Sequence, residues 1–190
     1  MNMQPPIAAE GSEQAFPRWL ETLRDRTKVL IRPIDVHDKQ AEREFIEGLS
    51  DEARRFRFLG QVRSPSEAFL KQLTDIDYVH QVAFVAVANE DDRERIVGVS
   101  RYCTDATGAH SECAVTVDEH WQHKGLGTVL MRHLIAVAKS RGVRTMFSID
   151  SAENAPMREL ATFLGFRSRL DPDEASQVIH ELDLTGAEKR

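Results

Sequence analysis

The sequence predicts a mixed α/β (α+β) domain, and three observations predict it. In the second half, strand-like and helix-spaced runs alternate: "HSECAVTV", then "GTVLMRHLIAVAKS", "VRTMFSID", "NAPMRELATFL" and "SQVIHELDL". Before them, "HQVAFVAVA" and "RIVGVSRYC" follow each other across the polar loop "NEDDRE", the pattern of an antiparallel meander completed by "HSECAVTV". Glycines close the two later helices, at Gly142 and Gly165.

The elements follow in order. Residues 1–27 contain Pro, Glu and Gln and are weakly patterned; they are expected to be a partly mobile N-terminal extension whose amphipathic piece "RWLETLRD" packs on the domain. "KVLIRPI" has the β-branched content of a strand and stops at Pro33. "DVHDKQAEREFIEGLS" reads as a helix capped by Asp35, "SDEARRFRF" as a second short helix, and "SPSEAFLKQL" as a third beginning around Pro65. The expected domain runs over 28–184, with a short tail at 185–190. A chain of 190 residues suits one such domain.

Composition excludes several classes. Lys and Arg total 25 against 31 Asp and Glu, a net charge of −6 with both signs interspersed, so no nucleic-acid-binding face is expected. The longest apolar run, Val82 to Ala88, is far too short to cross a bilayer, so no membrane role is expected. The N-terminus has neither the basic start nor the apolar core of a secretory signal. Cys103 and Cys113 lack C-x-x-C spacing and are expected as reduced, half-buried thiols in the cytoplasm. The seven histidines show no metal-ligand spacing, so no metal is expected.

The stretch "WQHKGLGTVLMRHL" (Trp121–Leu134) carries the chemistry. Two glycines stand one residue apart where a helix-spaced apolar pattern begins. A helix N-terminus leaves backbone N–H groups without partners and carries partial positive charge, a ready site for phosphate. Gly125 and Gly127 would clear side chains from it. Thr128 would add a hydroxyl, Lys124 a charge, and His123 a ring at the rim. A tight turn or a close helix–sheet contact would equally explain the glycines. The loop lacks the Lys-Ser/Thr of a P-loop and the third glycine of a dinucleotide fingerprint.

A carboxylate set within an apolar strand beside such a cradle is a candidate general base for a nucleophile that is protonated at neutral pH. Glu112 is the acidic residue within the apolar strand leading to the cradle; half-burial there would raise its pKa toward a useful value.

"VTVDEHWQHKGLGTVLMRHLIAVAKSRGVRTMFSIDSAENAPMRELATFLGFRSR" resembles the GNAT acyltransferase superfamily, through Val115 or Val117, Gln122, Gly125, Gly127, Asn154 and Leu164-Gly165-Phe166. "VLIRPI", "LTDIDYVHQVAFVAV", "ECAVTVDEHWQHKGLG" and "NAPMRELATFLGF" resemble in particular the catalytic domain of bacterial Pat-type protein-lysine acetyltransferases. The resemblance implies a GNAT fold, a central mixed twisted sheet of about six to seven strands flanked by helices. It implies acetyl-CoA as co-substrate, with its pyrophosphate on the amides of Gln122–Thr128, including His123, Lys124, Gly125, Leu126 and Gly127. It also implies Asn154 on the CoA arm, Val115 near the pantetheine, Val117 offering an amide to the acetyl carbonyl, and Glu112 as catalytic base. Many members carry a general-acid Tyr seven residues after the Asn; this chain has Ala161 there.

The implied acceptor is a protein lysine. A small amine would use the same chemistry, and an acyl-CoA-binding module without catalysis would use the same cradle. Asp75 and Asp77 would give the acceptor side a negative field, unless they serve turn chemistry alone.

Overall fold

The structure is a computed structural model that describes residues 17–58, 64–90 and 93–186. Its strands and helices are β1 (Trp19–Thr22), β2 (Lys28–Pro33), α1 (Lys39–Gly48), α2 (Asp51–Phe58), α3 (Glu67–Thr74), β3 (Gln81–Glu90), β4 (Arg93–Thr104), β5 (His110–Val117), α4 (Leu126–Ser140), β6 (Thr145–Ser151), α5 (Ala155–Phe163), β7 (Arg167–Leu170) and β8 (Gln177–Asp183). The sheet order is β1-β2-β3-β4-β5-β6-β8-β7. Among the described residues, only the β5–β6 pair is parallel. This is an open mixed sheet with helices on both faces, the GNAT fold.

Eight strands are present among the described residues, against the six or seven expected. The two additions are edge strands with little alternation to read. β1 lies inside the segment taken as an extension. "RWLETLRD" packs on the domain by pairing with β2, Trp19 opposite Ile31 through Thr22 opposite Lys28. Trp19 stacks on His133 of α4 at 4.0 Å and meets Phe84 edge-on at 5.3 Å. Glu21 sits 2.7 Å from the same His133. The domain therefore includes at least residues 19–27. The first dozen residues, expected to be mobile, lie outside the described residues, as do 187–190 of the expected tail. β7, "RSRL", is exposed at every position and is held by its ladder to β8.

Local chemistry explains the remaining boundaries. Asp35 caps a short 3-10 turn before α1, in a capping box with Asp38, which also holds Arg32 at 2.7 Å. Ser66 caps α3, one residue past Pro65. Gly142 and Gly165 end α4 and α5 at φ +82 and +88.

Two apolar layers cover the sheet. Leu126, Leu130, Leu134 and Met131 of α4 and Ala161 of α5 pack with Phe84 and Met146 on one face. Ile34, Phe45, Ile46, Leu70 and Leu73 pack with Val85 and Val99 on the other. Gly98 lets α4 lie close to β4: a Cβ there would stand 2.9 Å from Leu130 Cδ1.

The consequence for function lies between β5 and β6. They pair only at His110–Thr145, Ser111–Met146 and Glu112–Phe147, although both strands continue. Beyond Glu112 they diverge. The β5 edge facing β6 then has no ladder partner, so alternate backbone groups of Ala114–Val117 face open space.

Candidate active site

The divergence of β5 and β6 opens into a cleft of about 1100 Å³, bounded by α2, the N-terminus of α4 and α5. The glycine loop forms one part of its lining. Asp118 caps a 3-10 turn over Glu119–Trp121, and the chain then passes through left-handed conformations at His123 (φ +60) and Gly125 (φ +88). Gly125 is the N-cap of α4. Unlike the caps Asp35, Ser66 and Asn154, it supplies no side-chain hydrogen bond, and the first turn of α4 has no acidic residue. The first bond within α4 is Val129 N–H to the Gly125 carbonyl, at 3.1 Å. The amides of Leu126, Gly127 and Thr128 thus have no helical partner, at the positive end of the 15-residue helix. An uncapped N-terminus opening into a cleft fits a diphosphate.

The two glycines have different reasons. Gly125 takes a backbone conformation that L side chains rarely adopt. Gly127 is helical; a Cβ there would stand 3.3 Å from Leu160 Cδ2 and 3.7 Å from Val117 Cγ2. Its smallness lets α5 and β5 close on α4, so for this glycine the close-contact alternative holds. Gln122, His123 and Thr128 line the cleft, while the Leu126 side chain is buried and only its backbone can serve a ligand.

Lys124 does not take the expected place at the cleft. Its Nζ lies 3.1 Å from Asp25 Oδ2 and 4.7 Å from the Trp121 ring centre. The Thr27 amide and Lys124 hold the Asp25 carboxyl down to about 2. The cation that does reach the cradle is Arg24, from the β1–β2 hairpin. Its amide donates to the Lys124 carbonyl at 3.1 Å, and its Nε is 3.4 Å from the position of a Gly125 Cβ. Nothing in the local pattern of "TLRDRT" marks Arg24; the pairing of β1 with β2 brings it there.

Val115 and Val117 line the cleft on the unpaired part of β5. Glu112 stands where the strands part, on the wall shared with a side recess of about 220 Å³. It is exposed, not half-buried as expected. Position, not burial, makes it available as a base. The neighbouring Cys113 is buried, which pushes its thiol up, and Cys103 is exposed, so neither is half-buried as expected.

Asn154 lines the cleft and caps α5, its Oδ1 accepting from the Met157 amide at 3.1 Å. Ala161 is fully buried against the core. Asp75 and Asp77 do not reach the cleft. Asp75 pairs loosely with Lys71 at 3.8 Å. Asp77 Oδ1 accepts from the amides of Val79, His80 and Gln81. Partial burial would raise the Asp77 carboxyl, but these bonds outweigh it and hold the group down to about 2. This is turn chemistry.

Three further charged residues belong to the cleft and its recess. Arg57 of α2 lines both, and burial together with the nearby Arg101 lowers its pKa to about 10. Arg101 of β4 lies 3.6 Å from buried Glu42, with its Nε buried and without a partner. Asp150, near the end of β6, faces the cleft.

The sequence profile described as Acetyltransferase (GNAT) family matches residues 46–166. The chain belongs to that family. It is 50% identical over 166 residues to Acetyltransferase PA5475 of Pseudomonas aeruginosa, covering 87% of this chain and 89% of the relative. It is 27% identical over 165 residues to Acetyltransferase Pat of Mycolicibacterium smegmatis, covering 79% of this chain; the chain spans 49% of that relative's length. The GNAT domain of S. lividans PAT superposes with a TM-score of 0.81 at 25% identity, over 88% of this chain and 99% of that one. The GNAT family uses acetyl-CoA as co-substrate, and the uncapped α4 terminus, the parted strands and Asn154 form a compatible cleft.

Arg24→Ala should weaken acetyl-CoA binding about three- to five-fold, the scale of one exposed charge pair. The difference should shrink at high salt. Calorimetric titration at two ionic strengths checks it; equal affinities at low salt would exclude Arg24 from the phosphate site.

Proposed function

We propose that the chain transfers the acetyl group of acetyl-CoA directly to an amine, the side-chain amine of protein lysines, with Glu112 as general base. The observation that carries the reading is the continuity of one cleft from the uncapped N-terminus of α4 to Glu112 at the parting of β5 and β6.

Acetyl-CoA supplies an activated thioester, and this chain's residues do the rest. The amides of Leu126, Gly127 and Thr128 hold the diphosphate, with Arg24 beside them. Asn154 and the free backbone edge of β5 align the arm. A Val117 amide offers a donor to the carbonyl oxygen as it gains charge. Glu112 takes the proton that an ammonium must lose before it can attack. Exposure of Glu112 suits an acceptor carried on a macromolecule, since a lysine can reach it from solvent. The resemblance of "ECAVTVDEHWQHKGLG" and "NAPMRELATFLGF" to Pat-type protein-lysine acetyltransferases implies the same acceptor.

One observation favours a second reading, a small amine that also carries a carboxylate. Arg57 and Arg101 line the recess beside Glu112 and would repel a lone ammonium but hold an anion. The two readings separate in one experiment. Wild-type protein and acetyl-CoA are added to a cell lysate and acetyl-lysine is read by mass spectrometry, beside a panel of purified amines with free-thiol release as readout. Discrete acetylated proteins, absent with Glu112→Gln, support the lysine acceptor. Thiol release with amino acids but no protein labelling replaces it with the second reading.

A further inference from the structure

Behind the cleft, on the face of the sheet that carries α4 and α5, four polar side chains form a row. Ser148 Oγ donates to Asp150 Oδ2 at 2.7 Å. Asp150 Oδ2 stands 4.0 Å from Nε2 of His180, on β8. His180 is fully buried, and its Nδ1 lies 2.7 Å from Ser168 Oγ, on β7. Nε2 of His180 is buried and has no hydrogen-bond partner. Burying an imidazole nitrogen without a partner is costly, so its place beside a carboxyl calls for a reason. With the Ser168 hydroxyl donating to Nδ1, Nε2 carries the ring proton and points toward Asp150. Only the carboxyl of the row lines the cleft with Asn154; its side chain is 15% exposed. Continuing the β5–β6 register past Glu112–Phe147 brings Asp150 level with Val115, across the open part of the divergence.

We propose that Asp150, supported by Ser148 and His180, is the proton donor to the sulfur that departs during acetyl transfer, a role that buried, hydroxyl-free Ala161 cannot fill. The inference rests on the acetyltransferase reading above. The amine nitrogen bonds to the acetyl carbon, and the carbon–sulfur bond breaks with its electron pair going to sulfur. The Asp150 carboxyl proton passes to that sulfur, leaving a carboxylate. The proton lost by the amine passes to Glu112 and on to water, and water returns a proton to Asp150 after release. The new carboxylate keeps the Ser148 bond and draws the Nε2–H of His180 across the 4.0 Å gap into a second one.

The surroundings favour this division of labour. Burial raises the Asp150 pKa against the Ser148 bond and the Arg57 charge, and burial lowers that of His180, which is therefore neutral near pH 7. The groups facing Asp150 are Ser148 on its own strand, Arg57 from α2, Cys113 from β5 with Glu112 one residue away, and His180 from β8; Arg158 of α5 acts on His180. A carboxyl whose pKa burial raises, at the end of the row that reaches the cleft, is the better placed of the two to carry a proton, whereas Glu112, exposed on the opposite strand face, is the acceptor.

The test is Asp150→Asn, which keeps shape and polarity. Its acetyl-CoA affinity should stay within two-fold of wild type while kcat falls about 10²-fold. The wild-type kcat should decline as pH rises through the raised Asp150 pKa, because the donor must be protonated, and the variant should lack that decline. A separate readout needs no ligand: ¹⁵N NMR of the His180 ring should follow the Asp150 titration in the wild type and lose that step in the variant. Asp150→Glu should restore part of the alkaline limb. A kcat within two-fold of wild type, or an unchanged alkaline limb, would overturn the proposal, as would a His180 resonance indifferent to Asp150. If wild type transfers acetyl to no amine, the acetyltransferase reading fails instead, and the NMR titration still reports on the coupled pair.

Discussion

Thr128→Glu is expected to weaken acetyl-CoA binding at least 100-fold while making the free protein slightly more stable than wild type. Thr128 is the third residue of α4, after the N-cap Gly125, and it lines the cleft. A glutamate in the first turn suits the helix dipole and is worth about 0.3–1 kcal/mol to the helix. The same carboxylate would occupy the place of a phosphate and repel its charge. Stability and affinity should therefore move in opposite directions, which a merely misfolded variant cannot imitate. Gly127→Glu is the poorer choice, since even its Cβ would press on Leu160 at 3.3 Å. Thermal unfolding with and without acetyl-CoA provides both readouts, because a ligand that binds the folded state raises its stability by mass action. An affinity within three-fold of wild type would remove the diphosphate from the α4 terminus.

Glu112→Gln is expected to lower kcat about 10²–10⁴-fold, the usual worth of a general base. Acetyl-CoA affinity should stay within two-fold, because the residue lies at the far end of the cleft from the cradle. Stability should barely change, because the side chain is exposed and in no ion pair among the described residues. The deficit should also narrow as pH rises toward 10, where a lysine is increasingly neutral and needs no base. Rates measured with saturating acceptor across pH 6–10 check both statements. A variant as fast as wild type at pH 7 would remove Glu112 from the proton transfer.

Both predictions start from features that local patterns made legible. The loop "HKGLG" and the helix after it could be placed because a left-handed turn and a 3.6-residue apolar period are written in neighbouring residues. "HSECAVTV" coincides with β5 for the same reason. Asn154 makes the expected cap to the Met157 amide, and it lines the cleft in which the CoA arm is proposed to lie. The place of Lys124 is not legible locally, because its partner, Asp25, stands on a hairpin made by the pairing of β1 with β2. Asp75 and Asp77 were misread because an aspartate at a turn looks the same from sequence whether it faces a substrate or its own backbone.

What the sequence by itself determined was the order of most elements, the helix ends at Gly142 and Gly165, the glycine loop at the mouth of α4, and the acidic residue on the strand before it. Each is decided by chemistry within a few residues: dihedral preference, capping, or apolar spacing. The tertiary structure alone decided the edge strands β1 and β7, the exposure of Glu112, the delivery of Arg24 to the cradle, and the row Ser148–Asp150–His180–Ser168. Those depend on which strands lie side by side and which face a helix covers. Ser168 and Asp150 flank the same imidazole only because β8 inserts between β6 and β7. Free energy of burial summed over the whole sheet selects that order, and no short stretch of chain carries the sum.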